Sequence, residues 1–227
     1  MTRWLLPAVA LAGALVGAGG VYALGQATGG AMVREYLLEN PEVIPEAMAR
    51  LERRERARSL AGAGDAVTRP YAGAFMGNPK GDVTLVEFYD YNCGICRASL
   101  PVVRELIRRD PNLKVVFREL PVLAPSSRDA ARASLAAARA GRFARFHNAL
   151  FSGGRVTPES IATAARAAGV TVPAQDKSAE AELARNFDIA GRLGVSGVPS
   201  WVVGDQVFIG AQPIETLQKA IAAARRG

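Results

Sequence analysis

An α/β fold is predicted for this chain: a parallel β-α-β unit, then a block of helices, then a closing β-β-α unit. Three stretches carry that reading. "DVTLVEFYDY" at 82–91 and "LKVVFREL" at 113–120 are β-branched and aromatic runs of strand length, with a helical stretch between them. Strand, helix and strand within about 40 residues make a crossover, which pairs the two strands in parallel. "SWVVGDQVFIG" at 200–210 offers two short strands around Gly204–Asp205, a dipeptide suited to a hairpin turn.

Taken in order, the chain starts with a short basic segment and then runs uncharged from Trp4 through Gly25. That apolar stretch, with small residues at 23–25, reads as an export signal; an uncleaved single-span anchor over residues 4–25 is the alternative, and cleavage is favoured. Either way the remainder is translocated to a compartment where thiols can be oxidised. Residues 1–25 are thus a signal peptide or N-terminal anchor, 26–66 a helical arm, and 67–227 the main domain.

In the arm, residues 31–61 place Val33 and Leu37, then Ile44, Ala47, Met48 and Leu51, at helical spacing. Asn40-Pro41-Glu42 reads as a cap, a first-turn proline and a dipole-compensating acid, so two helices are expected. Glu52 to Arg58 is nearly all charged. A stripe this short cannot stabilise a lone helix. It must pack back on its own domain or onto other copies of the arm.

Residues 61–81, rich in Gly, Ala and Pro, read as a linker and loop. Beyond the second strand, residues 124–193 form an inserted, alanine-rich helical domain. Gly141, Gly153–Gly154, Gly169 and Gly194 act there as stops, and Thr157-Pro158-Glu159 as a start. Pro213 opens a last helix to about Arg225.

A formal charge of +7 could point to nucleic acid. The arginines, however, are interleaved with acids, with no basic block flanked by aromatics and no zinc-finger spacing, so no nucleic-acid partner is expected. A cationic soluble surface is the reading that remains.

The two cysteines, Cys93 and Cys96, stand between the first strand and the crossover helix. Asn92 is placed as the helix cap, which puts Cys93 at the first helical position near free N–H groups and the positive dipole end. Such groups favour a reactive thiolate. Cys96 lies one turn further in, with Cβ atoms about 5–6 Å apart. Cys93 is therefore expected as the exposed nucleophile and Cys96 as the shielded resolving thiol. A zinc site would need ligands the chain lacks, His147 being its single histidine. A structural bridge over two intervening residues closes too small a loop to constrain the unfolded chain much. Two reduced core thiols fit an exported chain poorly. No metal and no cofactor is expected; redox chemistry uses the spacing, the helix start and the compartment together.

"VEFYDYNCGICRASLP" at 86–101, with "GVSGVPSWVVGDQVFIGAQP" at 194–213, resembles the DsbA family of thiol–disulfide oxidoreductases over roughly residues 67–227. The resemblance implies a thioredoxin-like fold with an inserted helical domain. "REYLLENPEVIPEA" at 34–47 is similar to the ScsC-like branch, some of whose members oligomerise through this region. By this resemblance Cys93 is the nucleophile, Cys96 resolves, and Glu87 is the buried acid beneath the pair, exchanging a proton with the inner thiol. Val198–Pro199 matches the cis-proline loop that pairs with substrate backbone, and Gly94 and Ile95, between the cysteines, face the substrate. Strong oxidases of the family carry a proline and a histidine at 94–95, so one source of thiolate stabilisation is missing here. Arg97 shares a helix face with Arg104 and Arg108 and reads as solvated; His147 reads as packing or hydrogen-bonding in the helical domain.

The expected function is an exported oxidoreductase that forms or reshuffles disulfides in periplasmic proteins. Its partners would be cysteine-containing protein substrates, a DsbB-like or DsbD-like membrane redox partner, and copies of itself, a trimer through residues 31–61. The valine before Pro199 leans to an oxidase and the arm to an isomerase. A non-catalytic binding protein is the alternative: a holdase, or a Cu(I) carrier using the two soft thiolates.

Overall fold

A computed structural model describes residue 30 and residues 32–226. The expected signal or anchor over 1–25 lies outside the described residues. The chain divides into two compact units between Glu52 and Arg53.

The first unit holds helical residues 32–39 (α1) and the start of helix α2, Val43–Ala63. Two helices were expected, but the link between them differs. The Asn40 amide donates back to Tyr36 O at 3.0 Å and so closes α1, while α2 begins at Val43 with Glu46 in its first turn. Val33, Ile44, Met48 and Leu51 are exposed, and Leu37 is half-buried.

The second unit is built on a five-stranded sheet: β1 (Phe75–Gly77), β2 (Val83–Tyr89), β3 (Leu113–Glu119), β4 (Ser200–Val203) and β5 (Gln206–Ile209). The order across the sheet is β1-β3-β2-β4-β5. β2 and β3 are parallel, as a crossover requires, and every other pair is antiparallel. Gly204, at φ 57°, sits in the β4–β5 turn that needs a left-handed residue. β1 corrects the reading of residues 61–81 as linker and loop. It is an edge strand with Phe75 opposite Val116, and three residues are too few to show a period.

Because side chains alternate along a strand, the sheet has two distinct faces. Leu85 and Tyr89 of β2, Val115 and Phe117 of β3, and Trp201 of β4 lie in one cluster with the crossover helix α3 (Gly94–Arg109). Helices α4 (Pro125–Arg139), α5 (Phe143–Ser152) and α6 (Pro158–Ala168), and the final α8 (Ile214–Ala224), add to the same cluster. Val86, Phe88, Val116 and Val202 face the other way, onto Ile189, Ala190 and Leu193 from α7 (Lys177–Arg192) and its end. The inserted helices thus cover both faces of the sheet. Their ends follow the local signals. Thr157 and Ser160 form a capping box at the start of α6, Gly169 closes it in the left-handed conformation, and Asp176 caps α7.

Candidate active site

Cys93 is itself the N-cap of α3, not its first residue: its sulfur accepts the Cys96 N–H at 3.0 Å. This corrects the placement of Asn92. With the cap position taken by sulfur, the Asn92 amide turns away to donate to Ser126 Oγ (3.0 Å) and Ser127 Oγ (2.9 Å). On the far side the Cys93 thiol donates to the Val198 carbonyl at 3.6 Å. The expected exposure of Cys93 is also corrected: held between these partners it is only 5% exposed, against 1% for Cys96. Both are free thiols. The sulfur of Cys93 lies where N–H groups and the positive end of a helix converge, a place that tolerates developing negative charge. Burial pushes the Cys96 thiol far up, and the neighbouring Cys93 and Glu87 push it further. Of the two, Cys93 is the more exposed to solvent.

Glu87 sits in the middle of β2, opposite Phe117 on one side and Trp201 on the other. The strand's alternation puts it on the α3 face between Leu85 and Tyr89, where it is buried and close enough to Cys96 to act on its thiol. Burial alone holds its carboxyl well above the usual carboxylate range. An acid whose ionisation burial opposes and a thiol of low acidity therefore share the α3 face of the sheet.

The Val198–Pro199 bond is cis, and β4 follows directly at Ser200. The strand brings this loop to the cysteines by pairing Ser200 with Phe88 in the neighbouring strand. Gly94 has open space where a side chain would stand, and Ile95 is exposed, so both face outward at the start of α3. Arg97 corrects the expectation of a solvated arginine. Its guanidinium donates to Gly154 O, and its Nε is buried without a hydrogen-bond partner among the described residues. The first turns of α3 rest on the α5–α6 loop, a contact that no local pattern announces. Arg104 donates to Asn148 Oδ1 at 2.7 Å, and Arg108 pairs with Glu105.

Tyr89, Tyr91, Glu119 and Ser134, which the sequence reading passed over, converge here with His147, which hydrogen-bonds and packs as expected. The Tyr89 hydroxyl donates to Glu119; the Tyr91 hydroxyl donates to Ser134 Oγ at 2.9 Å and lies 3.0 Å from His147 Nδ1. This ties β2, β3, α4 and α5 together under the active-site turn. Burial raises the Glu119 carboxyl and lowers His147 to about 3, so burial works against the charged form of both. A second inward position on a strand end was the one available signal for Glu119. Asp90, at the end of β2, is the other omission: it is fully buried and acidic, and it stands three residues before Cys93.

Comparison with known proteins fits this geometry. The DSBA-like thioredoxin domain family matches residues 84–222, and the copper resistance protein ScsC N-terminal domain family matches residues 30–58. A thioredoxin-like oxidoreductase from Silicibacter pomeroyi is 37% identical, covering 72% of this chain and 98% of its own, with a TM-score of 0.68. A linker-deletion variant of Proteus mirabilis ScsC is 26% identical, covering 86% and 92%, with a TM-score of 0.73. Among curated proteins, the Na(+)/H(+) antiporter NhaA 1 of Salinispora arenicola is 29% identical over 193 residues. The chain spans only about 30% of that relative's length. Among the described residues no helix is long and apolar enough to cross a membrane. A parallel β-α-β unit with two cysteines opening its crossover helix, an inserted helical block and a hairpin behind a cis-proline make up the matched region: the chain belongs to the DSBA-like thioredoxin domain family, on its ScsC-like branch.

Proposed function

We propose that this chain is an exported, periplasmic thiol–disulfide oxidoreductase that forms or reshuffles disulfides in cysteine-containing proteins. The observation that carries the reading is the setting of Cys93: its sulfur caps α3, meets the Val198 carbonyl of the cis-proline loop, and stands above a buried Glu87. In the oxidising direction a substrate thiolate attacks Cys93 of the Cys93–Cys96 disulfide. The Cys96 sulfur leaves with the electron pair and takes the Glu87 proton. A second substrate thiolate then attacks the substrate sulfur of the mixed disulfide, completing the substrate's bond and releasing Cys93 as thiolate. Two electrons pass to the pair, and every step reverses for reduction. A DsbB-like membrane partner would reoxidise the pair, and a DsbD-like partner would keep it reduced. The match to a copper-resistance N-terminal domain favours one second reading, Cu(I) carriage by the same two thiolates.

Exchange with glutathione tests the proposal. A carrier binds Cu(I) without turnover; an oxidoreductase equilibrates Cys93–Cys96 with the glutathione couple. In Glu87→Gln the step in which the Cys96 sulfur leaves, and its reverse, should slow, since a positioned proton donor contributes about 10²–10⁴-fold, and the pH–rate profile should lose one limb. The same variant has a stability signature. Folded Glu87 holds its proton more tightly than unfolded Glu87, so wild-type stability falls as pH rises above about 4.3 toward the raised folded value. Glu87→Gln should therefore melt higher than wild type at pH 8, with the gap closing toward pH 4. Equal gaps at both pH values, with an unchanged profile, would remove Glu87 from the mechanism.

The exposed stripe of Val33, Ile44, Met48 and Leu51 supports association of the arm, residues 31–61, into a homo-oligomer, a trimer. Several active sites in one assembly raise the effective concentration of thiolates around a misfolded substrate, which favours reshuffling. Light scattering is expected to give a trimer mass for the chain from residue 26 onward and a monomer mass for one starting at Ala66. Two monomers would leave the isomerase reading without its main support.

A further inference from the structure

Asp90 follows directly on β2 with its side chain fully buried, and both of its carboxyl oxygens accept main-chain N–H groups. Oδ1 accepts the Asn92 N–H at 2.8 Å; Oδ2 accepts the N–H groups of Val122 and Leu123, each at 2.9 Å. Its own carbonyl accepts the Cys93 N–H at 3.1 Å. One residue thus grips the cysteine turn with one oxygen and the β3–α4 loop, more than 30 residues away, with the other. Asn92 adds to the same junction by donating to Ser126 and Ser127 at the start of α4. The loop that is held so firmly presents two large apolar side chains to solvent, Val122 at 50% and Leu123 at 53% exposure. Ile95, between the cysteines, is exposed as well.

We infer that Asp90 is a positioning residue that locks the 121–123 loop to the cysteine turn, so that Val122 and Leu123 form a fixed apolar lip for the side chains flanking a substrate cysteine. This rests on the oxidoreductase reading above. The chemistry explains why an acid stands there. A carboxylate can accept three or more hydrogen bonds through two oxygens, whereas an amide must turn an NH₂ group toward one set of N–H donors. Asparagine would keep the shape and lose one of the two grips. A loop released in this way gains freedom that substrate binding must then remove, which weakens binding of a peptide that uses the lip. Glutathione, which has no large apolar side chain beside its cysteine, should be indifferent to it.

The test compares two disulfide substrates on the full mature chain: glutathione disulfide, and a synthetic peptide disulfide with leucine on each side of its cysteine. For Asp90→Asn the peptide-to-glutathione ratio of kcat/KM should fall at least tenfold, through KM for the peptide. Val122→Ser/Leu123→Ser should reproduce that fall. A ratio that does not move in either variant overturns the inference, as does an Asp90→Asn loss shared equally by both substrates. If Asp90→Asn fails to fold, hydrogen exchange in the wild type decides: the Val122 and Leu123 amides should exchange as slowly as the sheet, and fast exchange overturns the clamp. A wild-type chain that exchanges with neither substrate refutes the oxidoreductase reading itself, which is a separate outcome.

Discussion

Cys93→Ser is expected to abolish disulfide exchange altogether, because a hydroxyl cannot form the mixed disulfide through which both half-reactions pass. Cys96→Ser should behave differently. Cys93 can still attack, nothing remains to resolve the intermediate, and mixed disulfides with substrate should accumulate as reducible high-mass bands on a non-reducing gel. The asymmetry follows from the geometry. Cys93 caps the helix beside the Val198 carbonyl and keeps some contact with solvent, while Cys96 is sealed and its thiol is pushed far up by burial. Adducts trapped through Cys96 in Cys93→Ser would reverse the assignment of roles.

The largest stability effect is expected at Arg118, far from the chemistry in role though it sits on the strand beside Glu87. Its guanidinium is buried on the α7 face and every N–H is used. Nε donates to Val67 O at 2.8 Å, Nη2 to Arg69 O at 2.9 Å and to Ala66 O, and Nη1 to Asn186 Oδ1 at 2.6 Å. Nη1 also pairs with the buried Glu182 at 3.2 Å. Burial works against both charges, lowering the Arg118 pKa and raising that of Glu182. Arg118→Met takes the buried partner from the Glu182 carboxylate, leaving it only Arg185 at 3.3 Å, and strips the donor from three main-chain carbonyls at once. Breaking a buried pair from one side costs about 3–5 kcal/mol, which for a chain of this size lowers Tm by roughly 6–20 °C. Adding Glu182→Leu should recover only part of the loss, since the carbonyls of residues 66, 67 and 69 stay unpaired. Calorimetry of the single and double variants checks this. A single-variant loss below about 1 kcal/mol would mean that water replaces the guanidinium.

Most of the fold was legible because its signals are local. The runs at 82–91 and 113–120 read as a parallel pair and are one. The Gly204–Asp205 turn, the capping box at Thr157 and the glycine stop at Gly169 mark real element ends. Each depends on alternation, capping or turn chemistry within a few residues. The three-residue strand β1 escaped because a period needs more residues than it has.

The cysteine pair and the order of elements around it were determined by the sequence alone. The surroundings of that pair were not. Asn92 has a capping side chain, yet the Cys93 sulfur took the position and left Asn92 to meet Ser126 and Ser127. Arg97 has the spacing of a solvated face, yet the α5–α6 loop lies over it. Asp90 reads as an ordinary acid near a turn until the β3–α4 loop arrives to use its second oxygen. The physical reason is common to all three. A side chain's own periodicity says which way it points, but what it meets there is decided by segments 30 to 60 residues away, brought in by the packing of the sheet and its inserted helices.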